Sequence, residues 1–265
     1  MNDKSLQLIT FTIAAIAANF FGGLILFPSV FRNFYQRWLR FLLAISAGFM
    51  LSVSLLEVIP RTLELWEKNG HSENALFWPM FLVLLGYLLT QFFEHTVAPH
   101  VHLGEEFHEK EVISTRTAYT TIGGLFIHTF LDGVSIAAAV QLDPQIGLLV
   151  FLSVFLHKIP EGFTAGSIVL AAGKGRKQVA ISTFSIGLAT AFGVALFVLL
   201  GNFAVETTSY ALPLAAGVSV YVAASDLIPE INHHGGKTPL VSLAVLLGVG
   251  LFFLLHLFVF ENHAH

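Results

Sequence analysis

Polar and apolar positions in this sequence separate into long blocks. Apolar runs of membrane-spanning length recur eight times, at about residues 6–27, 38–59, 75–97, 117–141, 145–172, 178–203, 209–231 and 239–260. A hydrocarbon core about 30 Å thick takes roughly 20 helical residues to cross, so each run is read as a transmembrane helix. The connections are short. They predict an all-α integral membrane protein with one transmembrane domain over residues 1–265. The first run lacks a basic leader and a small-residue cleavage site, and is read as a retained helix.

Composition agrees with this reading, since the chain is 55% hydrophobic, 11% charged and holds 26 Phe, unlike a soluble domain of its length. The few cations set an orientation. With the N-terminus outside, the inner segments hold Arg32, Arg37, Arg40, Lys110, Arg116, Lys174, Arg176, Lys177 and Lys237, and the outer ones only Lys4, Arg61 and Lys68. That bias predicts both termini on the extracytoplasmic side of a plasma or inner membrane. Cysteine is absent, which removes disulfides and thiolate ligands. A net charge of −4 without a basic stripe offers nothing to nucleic acid.

Against this apolar background, two spans carry His128-Thr-Phe-Leu-Asp132-Gly133 and, 29 residues later, His157-Lys-Ile-Pro-Glu161-Gly162. Residues i and i+4 share a helix face, so each copy points an imidazole and a carboxylate the same way. The strong turn between the copies is Asp143-Pro144, and His128 lies 15 residues before Asp143 while His157 lies 14 after it. At about 1.5 Å per residue both histidines sit roughly 20 Å from one membrane face, near the middle. Ionisable groups there are costly unless paired or metallated. Two nitrogens and two or more oxygens suit Zn²⁺ well, and Fe²⁺, Mn²⁺ or Cd²⁺ also, with the metal as cargo rather than resident cofactor. The bland alternative is a set of hydrogen-bonded packing residues.

A second pattern is repeated. Ala47-Gly48 with Glu57-Val-Ile-Pro60 and Ala216-Gly217 with Asp226-Leu-Ile-Pro229 share one spacing at an offset of 169 residues. These helices are second from the start and second from the end, and run in opposite senses. The expected architecture is an inverted repeat of helices 1–3 and 6–8 around a central helix 4/5 pair. Glu57 then marks the outer mouth, with Asp226 and Glu230 at the inner one; interfacial acids that merely end helices are the competing reading. Pro160 cannot donate to the carbonyl of Leu156 and is expected to kink the fifth helix. Gly133 and Gly162 are expected to let the fourth and fifth helices approach closely. The segment 95–116 holds His95, His100, His102 and His108 among several glutamates, with His233 and His234 on the same side. It reads as a weak metal-holding loop or as a solvated linker.

Taken with the eight spans, the paired motifs in the fourth and fifth helices resemble the ZIP (Zrt/Irt-like) divalent metal transporters. The resemblance implies uptake of Zn²⁺ or related metals toward the cytosol through His128, Asp132, His157 and Glu161. It also implies a homodimer, movement of the helix 4/5 unit and a cytosolic histidine-rich loop. Many members hold two metals, using Asn after the first His and Asn or an acid after the second; here those positions are Thr129 and Lys158. One metal per site is therefore expected, with Lys158 as counter-charge unless its side chain turns away. The competing functions are a membrane-embedded zinc hydrolase, for which Ser135 and Ser153 are available but no His-Glu-x-x-His is present, and a metal sensor that moves nothing.

Overall fold

The computed structural model describes residues 3–27, 29–69, 74–96, 114–200, 204–229, 231 and 239–261. Eight helices in it are long and apolar enough to cross a membrane. We number them α1 (Asp3–Leu24), α2 (Ser29–Ser52, continuing through Val53–Val58 into Ile59–Lys68), α3 (Phe77–Thr96), α4 (Thr115–Leu142), α5 (Pro144–Ala171), α6 (Arg176–Leu200), α7 (Ala204–Tyr221, continuing through Val222–Leu227) and α8 (Pro239–Glu261). Burial separates centre from periphery: 72% of the apolar window of α5 is enclosed by protein, against 17% for α3 and 22% for α8.

Two local features follow from the sequence. Within α2 and α7 the chain widens into π-helical turns at Val53–Val58 and Val222–Leu227. Pro60 and Pro229 lie just beyond them and lack the N–H that α-helix continuity requires. The residue before each proline bonds one position further back instead, Ile59 N–H to the carbonyl of Ser54 and Ile228 N–H to that of Ala223. Pro160 behaves differently, because α5 stays helical across it from Pro144 to Ala171. At the end of α5, Gly173 takes a φ of +72°. Its N–H bonds the carbonyl of Leu170 and that of Lys174 bonds Val169, which stops the helix and starts the short link to α6.

Backbones meet at glycines. An added Cβ would strike a facing carbonyl oxygen at Gly22 and Gly162, where α1 crosses α5, and at Gly133 and Gly193, where α4 crosses α6. This corrects the sequence expectation that Gly133 and Gly162 bring α4 and α5 together: each instead seats an outer helix, α6 and α1, against the central pair. The same device joins α2 to α8 (Gly48 on Val245, Gly248 on Ile45) and α7 to α3 (Gly217 on Val83, Gly86 on Leu214). The contacts exchange as a set, α1/α5 for α6/α4 and α2/α8 for α7/α3, with equivalent residues at equivalent positions.

A Cβ at Gly48 has nowhere to go, whereas Gly123 faces open space. Gly48→Ala is expected to destabilise the fold by about 1–3 kcal/mol, and Gly123→Ala to change stability by less than about 0.5 kcal/mol. Thermal unfolding of both variants in detergent checks this.

Candidate metal centre

A single residue, Asp143, joins α4 to α5. Its Oδ1 accepts the backbone N–H groups of Gln145 at 2.7 Å and Ile146 at 3.3 Å, and Pro144 fits the first helical position, where no donor is needed. The N-terminal end of α1 closes over this turn: Lys4 Nζ donates to the carbonyl of Gln141 at 2.7 Å, and Gln7 Nε2 to that of Pro144 at 2.8 Å. So short a turn makes residues equidistant from it face each other. The rings of His128 and His157 accordingly lie 5.7 Å apart between centroids, inclined by 48°.

Four side chains of ligand type converge there, His128, Asp132, His157 and Glu161, each buried, with one ligand atom from each within 4.8 Å of the others. Asp132 Oδ2 stands 3.4 Å from Nε2 of both His128 and His157, and His128 Nε2 is 3.9 Å from Glu161 Oε2. Ligands at about 2.1 Å around tetrahedral zinc are separated by about 3.4 Å, so two edges of that tetrahedron already have the right length. His157 Nδ1 lies 3.1 Å from the carbonyl of Ser153. Donation to it leaves the Nε2 lone pair facing a carboxylate oxygen, an arrangement that a cation between them stabilises. Neither nitrogen of His128 has a hydrogen-bond partner among the described residues, although both are shut off from solvent.

Lys158 points inward. Its Nζ is 2.6 Å from both Asp132 Oδ2 and Glu161 Oε2 and 3.2 Å from Thr129 Oγ1, and the residue is 0% exposed. The alternative in which it turns away is thereby excluded. The other oxygen of Glu161, Oε1, accepts from the Thr129 hydroxyl and from Asn19 Nδ2 at 2.9 Å. Asn19, on α1, is the residue that sequence reasoning missed; its signal is an amide in the middle of an apolar run. With neutral imidazoles, the two carboxylates and one ammonium leave one negative charge in excess.

The remaining sequence-predicted residues lie elsewhere. Glu57 sits in the π-turn of α2 and is buried rather than open, with Arg61 Nε 3.1 Å from Oε1 and His256 Nδ1, on α8, 3.1 Å from Oε2. The sequence gave no reason to expect His256 there. A small internal space between this turn and the site is lined by Ser54, Ser135, Ser153 and Ser219. Asp226 is buried in the equivalent turn of α7, near Tyr221, whose hydroxyl bonds Glu94. His95 is exposed, its Nδ1 3.0 Å from the carbonyl of Gln91. Glu230, His100, His102, His108, His233 and His234 lie outside the described residues.

The family described as ZIP Zinc transporter matches the chain over residues 5–116 and 100–256. Among curated proteins, the chain is 29% identical over 171 residues to "Zinc transporter ZIP6" of Homo sapiens, covering 60% of this chain and 23% of that protein. It is 27% identical over 177 residues to "Zinc transporter ZIP9" of Micropogonias undulatus, covering 63% of this chain and 56% of the relative. The aligned region thus spans well under two thirds of either relative. Because the family match runs through nearly all eight spans and both histidine motifs, the chain belongs to the ZIP zinc transporter family.

Proposed function

We propose that this protein carries divalent metal ions, zinc first among them, across a membrane into the cytosol through His128, Asp132, His157 and Glu161. The observation that carries this reading is the convergence of four ligand-type side chains, out of water, at the middle of a multi-pass membrane bundle. The names of the relatives support zinc as the cargo. Two imidazoles and two carboxylates, without thiolate, bind zinc firmly enough to strip water and loosely enough to release it.

In this reading the ion enters past Glu57 and the serine-lined space, and leaves past Asp226 and Glu230 toward His95, His100, His102, His108, His233 and His234. The lysine and arginine bias supports outward termini. Exchange of equivalent glycine contacts supports an inverted repeat of α1–α3 and α6–α8 about α4 and α5. One metal binds per site, because Lys158 and Thr129 fill the positions of a second. The transporter works as a homodimer, as the family resemblance implies.

Radioactive zinc uptake into liposomes is expected for the wild type and is expected to fall to background in His128→Ala and Glu161→Ala. Stoichiometric, site-dependent binding without flux would overturn transport. Since both imidazoles bind metal only when neutral, subsaturating uptake should fall as pH drops from about 8 to about 5; a flat profile would contradict ligation by the histidines. Anomalous scattering from zinc-soaked crystals should give one peak per site. Asn19→Leu, which frees Glu161 Oε1, should weaken zinc binding about 10- to 100-fold in a chelator competition titration. Unchanged affinity would mean that Asn19 does not position the carboxylate.

A further inference from the structure

Lys158 takes its two shortest contacts from the atoms that the metal would use. Asp132 Oδ2 and Glu161 Oε2 are each 2.6 Å from Nζ, and the same Oδ2 faces both histidine nitrogens at 3.4 Å. Glu161 cannot relieve this competition by offering its other oxygen, because Asn19 and Thr129 occupy Oε1. An ammonium and a divalent metal therefore exclude each other from one position, by space and by charge. Thr129 Oγ1, 3.2 Å from Nζ, gives the ammonium an acceptor outside the proposed ligand set.

Resting on the transport reading above, we infer that Lys158 is a tethered cation that takes the place of the metal after release and lets the empty carrier return across the membrane. The charges make the case. A loaded site with Lys158 displaced sets two positive charges against two carboxylates. An empty site with Lys158 docked carries a single excess negative charge, and α4 and α5 remain bridged through the same oxygens. Without Lys158 the empty site holds two uncompensated carboxylates in a low-dielectric interior, which opposes any movement through the hydrocarbon region. The lysine keeps its proton throughout, so the device needs movement of a side chain and no proton transfer.

The discriminating quantity is the ratio of two zinc fluxes in proteoliposomes. Net uptake into zinc-free vesicles requires the empty carrier to return; exchange of external radioactive zinc for internal unlabelled zinc requires only the loaded form. Lys158→Met is expected to keep exchange and to raise the exchange-to-net ratio at least about tenfold over wild type, since the two empty-site carboxylates are left unpaired. A wild-type ratio, even with both fluxes reduced, would overturn the inference while leaving transport intact. The double variant Lys158→Met/Asp132→Asn restores the wild-type charge of the empty site. It is expected to return the ratio to the wild-type value, and it serves alone if the single variant does not fold; a ratio that stays high would overturn the role assigned to charge. Absence of both fluxes in wild type would remove the transport reading itself, and this inference with it.

Discussion

Two carboxylates and an ammonium held out of water between α4 and α5 are the constraint around which the rest of the molecule is arranged. A charged side chain at the centre of a bilayer costs about 2.5–3.5 kcal/mol even on lenient scales, and a buried ion pair recovers its desolvation cost only with good geometry and further hydrogen bonds. Every oxygen for which a contact is given is therefore shared. Asp132 Oδ2 serves Lys158 and faces both imidazoles, Glu161 Oε2 serves Lys158, and Glu161 Oε1 serves Thr129 and Asn19. The surplus negative charge and the idle nitrogens of His128 mark what remains unsatisfied. That remainder is chemically a divalent cation with imidazole and carboxylate ligands.

Holding these groups in register requires helices that approach at backbone distance. Gly162 lets the carbonyl of Asn19 lie against α5, which is also what brings the Asn19 amide to Glu161. Gly133 admits the carbonyl of Thr190 on the opposite side of the central pair. Close packing of the two outer helices and positioning of the site are thus one arrangement, with small residues doing in lipid what apolar burial does in water. The central pair is gripped by α1 and α6, while α2 and α7 pack mainly on α8 and α3. Such a division into two tightly joined sets is a natural seam for relative motion.

The π-turns place acids at the two approaches to the site under different control. Glu57 is held by Arg61 and His256, whereas Asp226 lies in the turn next to Tyr221 and Glu94. Equivalent backbone therefore carries opposite local charge at its two ends, and the internal repeat is symmetric in packing but not in electrostatics.

The eight spans, the two histidine motifs and their matched depth were legible in the sequence, because hydropathy and helical period are local and the Asp143-Pro144 turn fixes the level of both motifs. The 169-residue repeat and its prolines were legible for the same reason. What local pattern could not decide was which helix each glycine serves, and Gly133 and Gly162 were expected to join α4 to α5 when they seat α6 and α1. Nor could it recruit Asn19 to Glu161 across 142 residues or His256 to Glu57. The direction of Lys158 was open until its surroundings were known, since a lysine beside an apolar run can turn either way. The sequence by itself determined the helices, the ligand types and their depth. Only the tertiary structure decided which side chains share an oxygen, because that depends on how helices far apart in the chain approach and rotate against one another.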